Sequence, residues 1–169
     1  MIIVSTYIFL IIVYGFVTVF ILYTLYAMVT AAPYVPTNKK QVKTMIEMAQ
    51  VAPTDTVLDL GSGDGRIVLE AAPFAQKVIG IEINPLLYYW SIWKARKKNN
   101  ITFLRKDLWT MDLTGVDVLT LFFMGPKMEK LKKKIQKEMK PGSRVVSYAF
   151  TFPCWEPKET KDNIRVYIV

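Results

Sequence analysis

The residues best suited to chemistry lie in one stretch, VLDLGSGDGRIVLEAA (residues 57–72). Three glycines alternate there, Gly61, Gly63 and Gly65, two residues after the carboxylate of Asp59 at the end of an apolar run. Glycine allows positive φ and lets a ligand approach the backbone closely. A plain strand-to-helix turn needs only one glycine, so three of them favour a ligand-binding loop.

The spacing of the loop narrows the class of ligand. No Gly-Lys-Ser/Thr follows, which excludes a lysine-bearing phosphate loop. A dinucleotide loop has the pattern G-x-G-x-x-G, and here the third glycine comes one residue early. Asp59 would repel a pyrophosphate, whereas it suits a ligand with a positively charged group.

Two further acids stand at comparable strand ends. Glu82 closes KVIGIE, where a carboxylate can accept both ribose hydroxyls. Asp107 closes ITFLRKD, where it can accept from an exocyclic amine. One such acid is often a mere cap or turn residue. Three of them in register predict one ligand, an adenosine with a cationic amino-acid tail.

Composition excludes several kinds of site. The 169 residues include no histidine, so a Ser-His-Asp triad, a Cys-His dyad and a histidine metal site are all excluded. The single cysteine, Cys154, cannot form an intramolecular disulfide and argues against a zinc cluster. We therefore expect no metal.

The elements that must position these residues alternate along the chain. A helix capped by Thr37 or Asn38 and running to about Gln50 is predicted first. Further helices are predicted over Arg66–Ala72, Pro85–Lys98 and Lys127–Lys140. The predicted strands are Thr56–Leu60, Lys77–Ile83, Ile101–Arg105, Asp117–Phe123, Arg144–Phe150 and Ile164–Val169. Alternating strands and helices with continuous apolar strands indicate an α/β fold, a doubly wound and mostly parallel sheet. Ligands bind such sheets at the carboxyl ends of the strands.

Two connections complete this description. The loop between Asp107 and Asp117 is too short for a full crossover helix, which predicts a minimal version of the fold. The proline-bearing stretch TFPCWEPKETKDN before the last strand is expected to be a loop.

The N-terminal segment is apolar and carries no charge before Lys39. As a helix, its 27 or so apolar residues would span roughly 40 Å, more than a hydrocarbon core of about 30 Å, which predicts one tilted transmembrane helix. Tyr7 near one end and Tyr23, Tyr26 and Tyr34 near the other are typical of interfacial positions. A cleaved signal peptide and a buried core helix are the alternatives.

The basic residues predict the orientation of this helix. All 22 Lys and Arg residues follow it, and the net charge is +8. Because Lys39, Lys40 and Lys43 come directly after it, the positive-inside rule places the globular part on the cytoplasmic side.

Several motifs carry a resemblance to a known family. DLGSGDGR, GIEINP and RKDLW resemble class I S-adenosylmethionine (SAM)-dependent methyltransferases. APYVPT, LFFMGPKMEKLKKKIQKEMKPGSRVVSYAF and WEP are more specific. They are similar to the membrane-anchored lysine methyltransferases of the mitochondrial adenine nucleotide translocase and ATP synthase c-subunit, and to their prokaryotic relatives. The likeness runs from about Ala32 to Pro157.

The resemblance implies a Rossmann-like methyltransferase fold with SAM as cofactor and S-adenosylhomocysteine as product. It implies a transmembrane helix over residues 1–30, a cofactor-covering linker over 31–38 and a methyltransferase domain over 39–169. Asp59, Gly61, Ser62 and Gly63 would border the methionine end, with the backbone rather than the Ser62 side chain binding. The other cofactor contacts implied are Glu82 and Ile83 at the ribose, Asp107, Leu108 and Trp109 at the adenine, and Pro36 and Thr37 over the cofactor.

The motifs say less about the residues that would bind the methyl acceptor. Many amino-methylating relatives carry Asn or Asp followed by prolines and an aromatic residue where this chain has LFFMG. No catalytic residue is therefore predicted. Phe123, Met124 and Tyr34 are candidates for an acceptor pocket, and Phe122 is expected in the core.

The predicted function is a membrane-anchored SAM-dependent N-methyltransferase that acts on a lysine ε-amine, in a membrane-protein substrate. A phosphatidylethanolamine-type lipid N-methyltransferase and a non-catalytic cofactor-binding membrane module are the alternatives. The basic runs KARKK and KMEKLKKKIQKEMK suit anionic headgroups better than nucleic acid, which is not an expected partner.

Overall fold

The computed structural model describes the backbone of residues 2–30 and 35–169, and the side chains of residues 6–22 and 35–169. The chain forms two compact units, Met1–Pro33 and Tyr34–Val169.

The first unit is one helix, α1 (Ile2–Thr30). The large apolar side chains described in it are exposed. Within the described residues, however, no helix combines the length and hydropathy that a membrane span requires. The transmembrane helix predicted over residues 1–30 therefore receives no support from this part of the chain.

The second unit is built on a seven-stranded sheet. Its strands are β1 (Thr56–Leu60), β2 (Lys77–Ile81), β3 (Ile101–Leu104), β4 (Val118–Leu121), β5 (Arg144–Tyr148), β6 (Glu159–Lys161) and β7 (Ile164–Ile168). The order is β3-β2-β1-β4-β5-β7-β6, with β1 to β5 parallel and β7 antiparallel to both of its neighbours, β5 and β6. The sheet is doubly wound and mostly parallel, as predicted, and the order reverses between β1 and β4.

Four helices accompany the sheet: α2 (Lys39–Ala49), α3 (Arg66–Ala71), α4 (Pro85–Ala95) and α5 (Met128–Glu138). Asn38 caps α2, since its side chain accepts from the amide of Gln41. Only a short 3₁₀ turn, Leu108–Thr110, lies between β3 and β4. The connection is as short as the sequence predicts.

Both faces of the sheet are buried, as parallel strands require. Alternate residues of β1 point to opposite faces, so Val57 joins one apolar cluster and Leu58 the other. Residues of α2 and α3 complete the first cluster, and residues of α5 complete the second. The loops at the carboxyl edge therefore extend from a sheet that is packed on both faces.

The predicted elements differ from the structure mainly at their ends. Strands predicted to reach Ile83, Arg105, Phe123 and Phe150 stop one or two residues earlier, because the chain leaves the ladder at the carboxyl edge. The predicted loop before the last strand contains β6, which was missed. Asp162 and Asn163 both have positive φ and form the tight turn that pairs β6 with β7.

Candidate active site

Asp59 is the central carboxylate of the carboxyl edge. It lies opposite Thr120 in the register of β1 and β4, and the Thr120 hydroxyl donates to its Oδ1 at 2.8 Å. The side chain is 2% exposed, and its Oδ2 has no hydrogen-bond partner among the described residues. A buried carboxylate oxygen without a partner is costly, so a donor is expected to meet it.

Burial raises the pKa of Asp59 to about 7, against the opposing hydrogen bond from Thr120. The negative charges of Glu82 and Asp64 raise the pKa further. A neighbouring positive charge would favour the ionised form of Asp59. This is the behaviour expected of a group that receives an ammonium.

The glycine loop after β1 has three positive-φ residues, Gly61, Gly63 and Gly65. Its amides are used inside the protein: Gly61 and Ser62 donate to the carbonyl of Ile81 at 2.9 and 2.8 Å. The Gly65 amide donates to the carbonyl of Ser62. These amides are therefore not arranged as a phosphate cradle.

Ser62 is predicted to contact the cofactor through its backbone. Its side-chain oxygen is buried and has no hydrogen-bond partner among the described residues. The hydroxyl oxygen of Ser62 and Oδ2 of Asp59, at the end of β1, are thus two buried polar atoms without a hydrogen-bond partner among the described residues.

Glu82 joins the glycine loop to the start of α4. Its Oε2 accepts from the amide of Gly63 at 2.9 Å, and its Oε1 accepts from the amide of Asn84 at 2.7 Å. The residue is 8% exposed. Each oxygen keeps a second lone pair, so these bonds leave Glu82 able to accept from ribose hydroxyls.

The residues predicted at the adenine lie around the turn after β3. Asp107 is exposed, and its Oδ1 accepts from the amide of Trp109 at 3.0 Å. Leu108 and Trp109 are half-buried against the second apolar cluster, and Ile83, beside Glu82, is exposed.

The segment before α2 is tied to the glycine loop. Thr37 is buried, and its carbonyl accepts from the guanidinium of Arg66, which also pairs with Asp64 at 2.8 Å. Although burial alone would raise it, hydrogen bonds from Arg66 and Lys94 hold the pKa of Asp64 below its usual range. Pro36 is exposed, and Tyr34 lies outside the residues whose side chains are described.

Aromatic side chains gather at the ends of β4 and β5. The ring of Phe122 lies 5.0 Å from that of Tyr148 and 6.0 Å from that of Phe150, centroid to centroid. All three are half-buried. We name Phe122, Tyr148 and Phe150 the edge aromatic cluster.

Phe122 is expected in the core and Phe123 at the acceptor pocket, but Phe123 is the more buried of the two. Phe123 is 6% exposed and packs in the second apolar cluster, edge-to-face with Trp109 at 5.9 Å. It follows Leu119 and Leu121 at the period of a strand, which places all three side chains on the same face. Met124 is half-buried.

Sequence reasoning missed two residues that shape the site. Thr120 is the single polar side chain in the strand VLTL, and that interruption was the available signal. Arg66 follows the glycine loop directly, but its bond to Thr37, 29 positions earlier, has no local sequence signal.

The arrangement fits a SAM-like ligand. A buried carboxylate with a raised pKa stands at the end of β1, a second acid at the end of β2, and a third after β3. Among the described residues, no three potential metal ligands converge.

Comparison with known protein families gives one match that covers most of the second unit, Tyr34–Val169. A family described as "ANTKMT methyltransferase domain" matches residues 59–159. A second description, "Histone methylation protein DOT1", matches residues 21–88.

Curated relatives include a protein-lysine N-methyltransferase of Saccharolobus islandicus, 40% identical over 75% of this chain and 82% of the relative. The ATP synthase c-subunit lysine N-methyltransferase of Xenopus laevis is 36% identical over 74% of the chain and 56% of the relative. The adenine nucleotide translocase lysine N-methyltransferase of Mus musculus is 36% identical over 81% and 63%. The chain thus spans less than two thirds of the two animal relatives.

Among solved structures, an RNA methyltransferase from Salinibacter ruber in complex with S-adenosyl-L-homocysteine is similar. The TM-score is 0.74 at 36% identity, covering 79% of this chain and 92% of that one.

Proposed function

Since the chain belongs to the ANTKMT methyltransferase domain family and is a SAM-dependent methyltransferase, we propose that it methylates a protein lysine on its ε-amine. The observation that carries this proposal is the 40% identity to a protein-lysine N-methyltransferase across 82% of that relative's length. The animal relatives named for lysine methylation of the ATP synthase c-subunit and of the adenine nucleotide translocase support the same acceptor.

SAM supplies a methyl group on a sulfonium, which leaves as a neutral thioether when an amine attacks. In our proposal Asp59 and Ser62 hold the amino-acid end of the cofactor, since each has a buried side-chain oxygen without a hydrogen-bond partner in the part of the chain that the structure describes. Glu82 accepts from the ribose and, through Gly63 and Asn84, fixes the shape of the loop.

The remaining proposed contacts follow the predicted order along the sheet edge. Asp107 accepts from the adenine amine, with Leu108 and Trp109 beside the ring, and Ile83 lies beside Glu82 at the ribose. The segment with Pro36 and Thr37 covers the cofactor, and the hydrogen bond from Arg66 to the Thr37 carbonyl holds that segment against the glycine loop.

The acceptor must arrive as a neutral amine. A lysine with a pKa near 10.4 is neutral in only about 4 of 10,000 molecules at pH 7, so supplying the amine costs roughly 4.6 kcal/mol unless the site lowers that pKa. We propose that the edge aromatic cluster receives the lysine. Its half-buried rings exclude water from the amine, which lowers the lysine pKa and favours the neutral form that attacks the methyl group.

Membrane anchoring through residues 1–30 is a separate proposal. It rests on the absence of charge before Lys39 and on the exposed apolar side chains described in α1. Lys39, Lys40 and Lys43 favour a cytoplasmic position for the second unit. A membrane protein that presents a lysine near the headgroups is then the natural substrate.

RNA is the second candidate acceptor, because a methyltransferase named for RNA is 36% identical over 92% of its length. The basic surface that accompanies a net charge of +8 is also compatible with it. A lipid amine remains the alternative that the anchor itself favours.

A labelling experiment separates the three acceptors. Full-length protein is incubated with SAM that carries a radioactive methyl group. The acceptors offered are membranes and ribosome-free RNA, both prepared from cells that lack the protein. The proposal predicts label in a protease-sensitive fraction. Label removed only by nuclease, or extracted only with phospholipid, would contradict it.

A further inference from the structure

Helix α4 carries an unusual exposed surface. Within residues 35–169, exposed large hydrophobic side chains concentrate on and beside this helix, with Val35, Phe74 and Ile168 as the others elsewhere. The members of the concentration are Ile83, Leu86, Tyr89, Trp90, Ile92 and Trp93. A clustered patch of this kind marks an interaction surface, unlike single exposed apolar residues.

The patch lies along one stripe of the helix. Leu86, Tyr89, Trp90 and Trp93 recur at helical spacing and are 72%, 62%, 52% and 54% exposed. We name these four residues the α4 aromatic face. The small residues Ser91 and Ala95, which α4 buries, lie on the other side of the helix. The helix thus turns its smallest side chains inward and its largest outward.

The charged residues of α4 and of the segment directly after it have one sign. Residues 85–100 include no Asp or Glu, while Arg96, Lys97 and Lys98 follow the aromatic stripe and are exposed. The Arg96 guanidinium lies 4.6 Å from the centroid of the Trp93 ring. Tryptophan and tyrosine prefer the membrane–water interface, and Lys and Arg near it are attracted to anionic headgroups.

We propose that the α4 aromatic face docks into the headgroup region of an anionic bilayer, as a membrane contact separate from residues 1–30. A base-stacking surface for RNA is less consistent with the geometry. Trp90 and Trp93 stack on each other, 5.0 Å apart at 23°, and Arg96 lies over one ring of that pair. Leu86 and Ile92 also offer aliphatic surface that stacking does not use.

Docking through α4 orients the site. Glu82 accepts from the amide of Asn84, the residue before α4, and Lys94 of α4 bonds Asp64 of the glycine loop at 2.9 Å. The cofactor edge therefore moves with α4 and comes to lie near the headgroups. The proposal is independent of which acceptor receives the methyl, and its test measures contact, not turnover.

Tryptophan quenching by brominated lipids tests it on the full chain. A reporter variant, Trp109→Phe with Trp155→Phe, retains only Trp90 and Trp93 of the four tryptophans. The matched control replaces all four by Phe and introduces Phe74→Trp, at a 51% exposed position outside α4. Vesicles contain phosphatidylcholine and phosphatidylglycerol brominated near the headgroup.

We expect the reporter to be quenched well beyond the control, even though both carry α1. Arg96→Gln with Lys97→Gln should weaken docking, by about fivefold per cation in low salt. Quenching equal to that of the control would overturn the proposal. So would emission that responds to single-stranded RNA or to protein concentration but not to lipid, which would assign the face to RNA or to a second copy.

Hydrogen exchange on the unsubstituted protein keeps the test decisive if a variant fails to fold. Exchange of α4 peptides should slow on anionic vesicles relative to vesicles of phosphatidylcholine alone. Unchanged exchange in the two vesicle types would also overturn the proposal.

Discussion

At the scale of single residues, the site depends on carboxylates with different tasks. Asp59 is buried, and its Oδ2 has no hydrogen-bond partner among the described residues, whereas Glu82 accepts from two backbone amides. The positions of both acids followed from their place at strand ends. The bonds of Glu82 to Gly63 and Asn84 could not be predicted, because they depend on how the loop folds back over β2.

The first prediction concerns Glu82. Replacing it with Gln removes the charge that accepts from Gly63 and is proposed to accept from the ribose. Hydrogen bonds to charged groups contribute about 1.5–3 kcal/mol, so Glu82→Gln should weaken SAM binding about 10- to 100-fold. Calorimetric titration measures it, with Glu70→Gln in α3 as the control. Equal affinity in the two variants would refute the assignment.

The second prediction concerns pH. The pKa of Asp59 is about 7 in the folded protein against 3.8 for the ordinary group. Because the folded state holds this proton more tightly, the unfolding free energy should fall as pH rises from about 4 to 7, and the loss should be complete above 7. The full effect is on the order of 4 kcal/mol.

Asp59→Asn removes the titration, so its stability relative to the parent protein should increase across that window. Urea unfolding without cofactor at pH 5 and pH 8 measures the difference. If the difference in unfolding free energy between variant and parent is the same at both pH values, burial does not raise the pKa of Asp59.

At the scale of elements, the strands were predictable and their ends were not. Continuous apolar runs identify β1 to β5 because parallel strands are buried on both faces. Edge strand β6 was missed because Glu159–Lys161 is polar and exposed, so no apolar pattern indicates it. The burial of Phe123 could have been predicted from the alternation of β4, since Leu119, Leu121 and Phe123 are two residues apart and lie in one apolar cluster.

The third prediction tests how β2 packs beneath the loop. A Cβ at Gly80 would lie 2.6 Å from the Phe103 ring and 2.9 Å from the Ser62 hydroxyl. Gly80→Ala should therefore destabilise the protein by about 1–3 kcal/mol through overpacking. At Gly125 the nearest atom would be 3.7 Å away, so Gly125→Ala is the matched control and should change stability by less than about 0.5 kcal/mol.

Chemical unfolding measures both variants. Adding Phe103→Leu to Gly80→Ala should restore part of the stability, because it removes the ring that the methyl meets. Equal stability of the Gly80 and Gly125 variants would show that β2 does not pack as described.

At the scale of the whole molecule, two features bear on substrate choice: the charge-free N-terminal segment and the short β3–β4 connection. No α-helix or strand is inserted between β3 and β4 to select a substrate. Confinement beside a membrane can replace such an insert, because tethering raises the effective concentration to millimolar levels for short linkers.

The fourth prediction tests this confinement. A chain without residues 1–28 should still bind SAM and slowly methylate a lysine peptide, but it should lose most methylation of a membrane-embedded target. The full chain should also resist carbonate extraction. Methylation of the membrane target by the shortened chain at the full-length rate would contradict the tether.

The central claim is that the methyl goes to lysine, and peptide mass spectrometry of the labelled acceptor tests it most directly. Membranes from cells that lack the protein are incubated with SAM and either the parent chain or Glu82→Gln. The account predicts one or more peptides with a methylated lysine ε-amine, at a much lower level with the variant. Methyl transfer by the parent chain that appears only in RNA or phospholipid, with no methyl-lysine peptide, would contradict it.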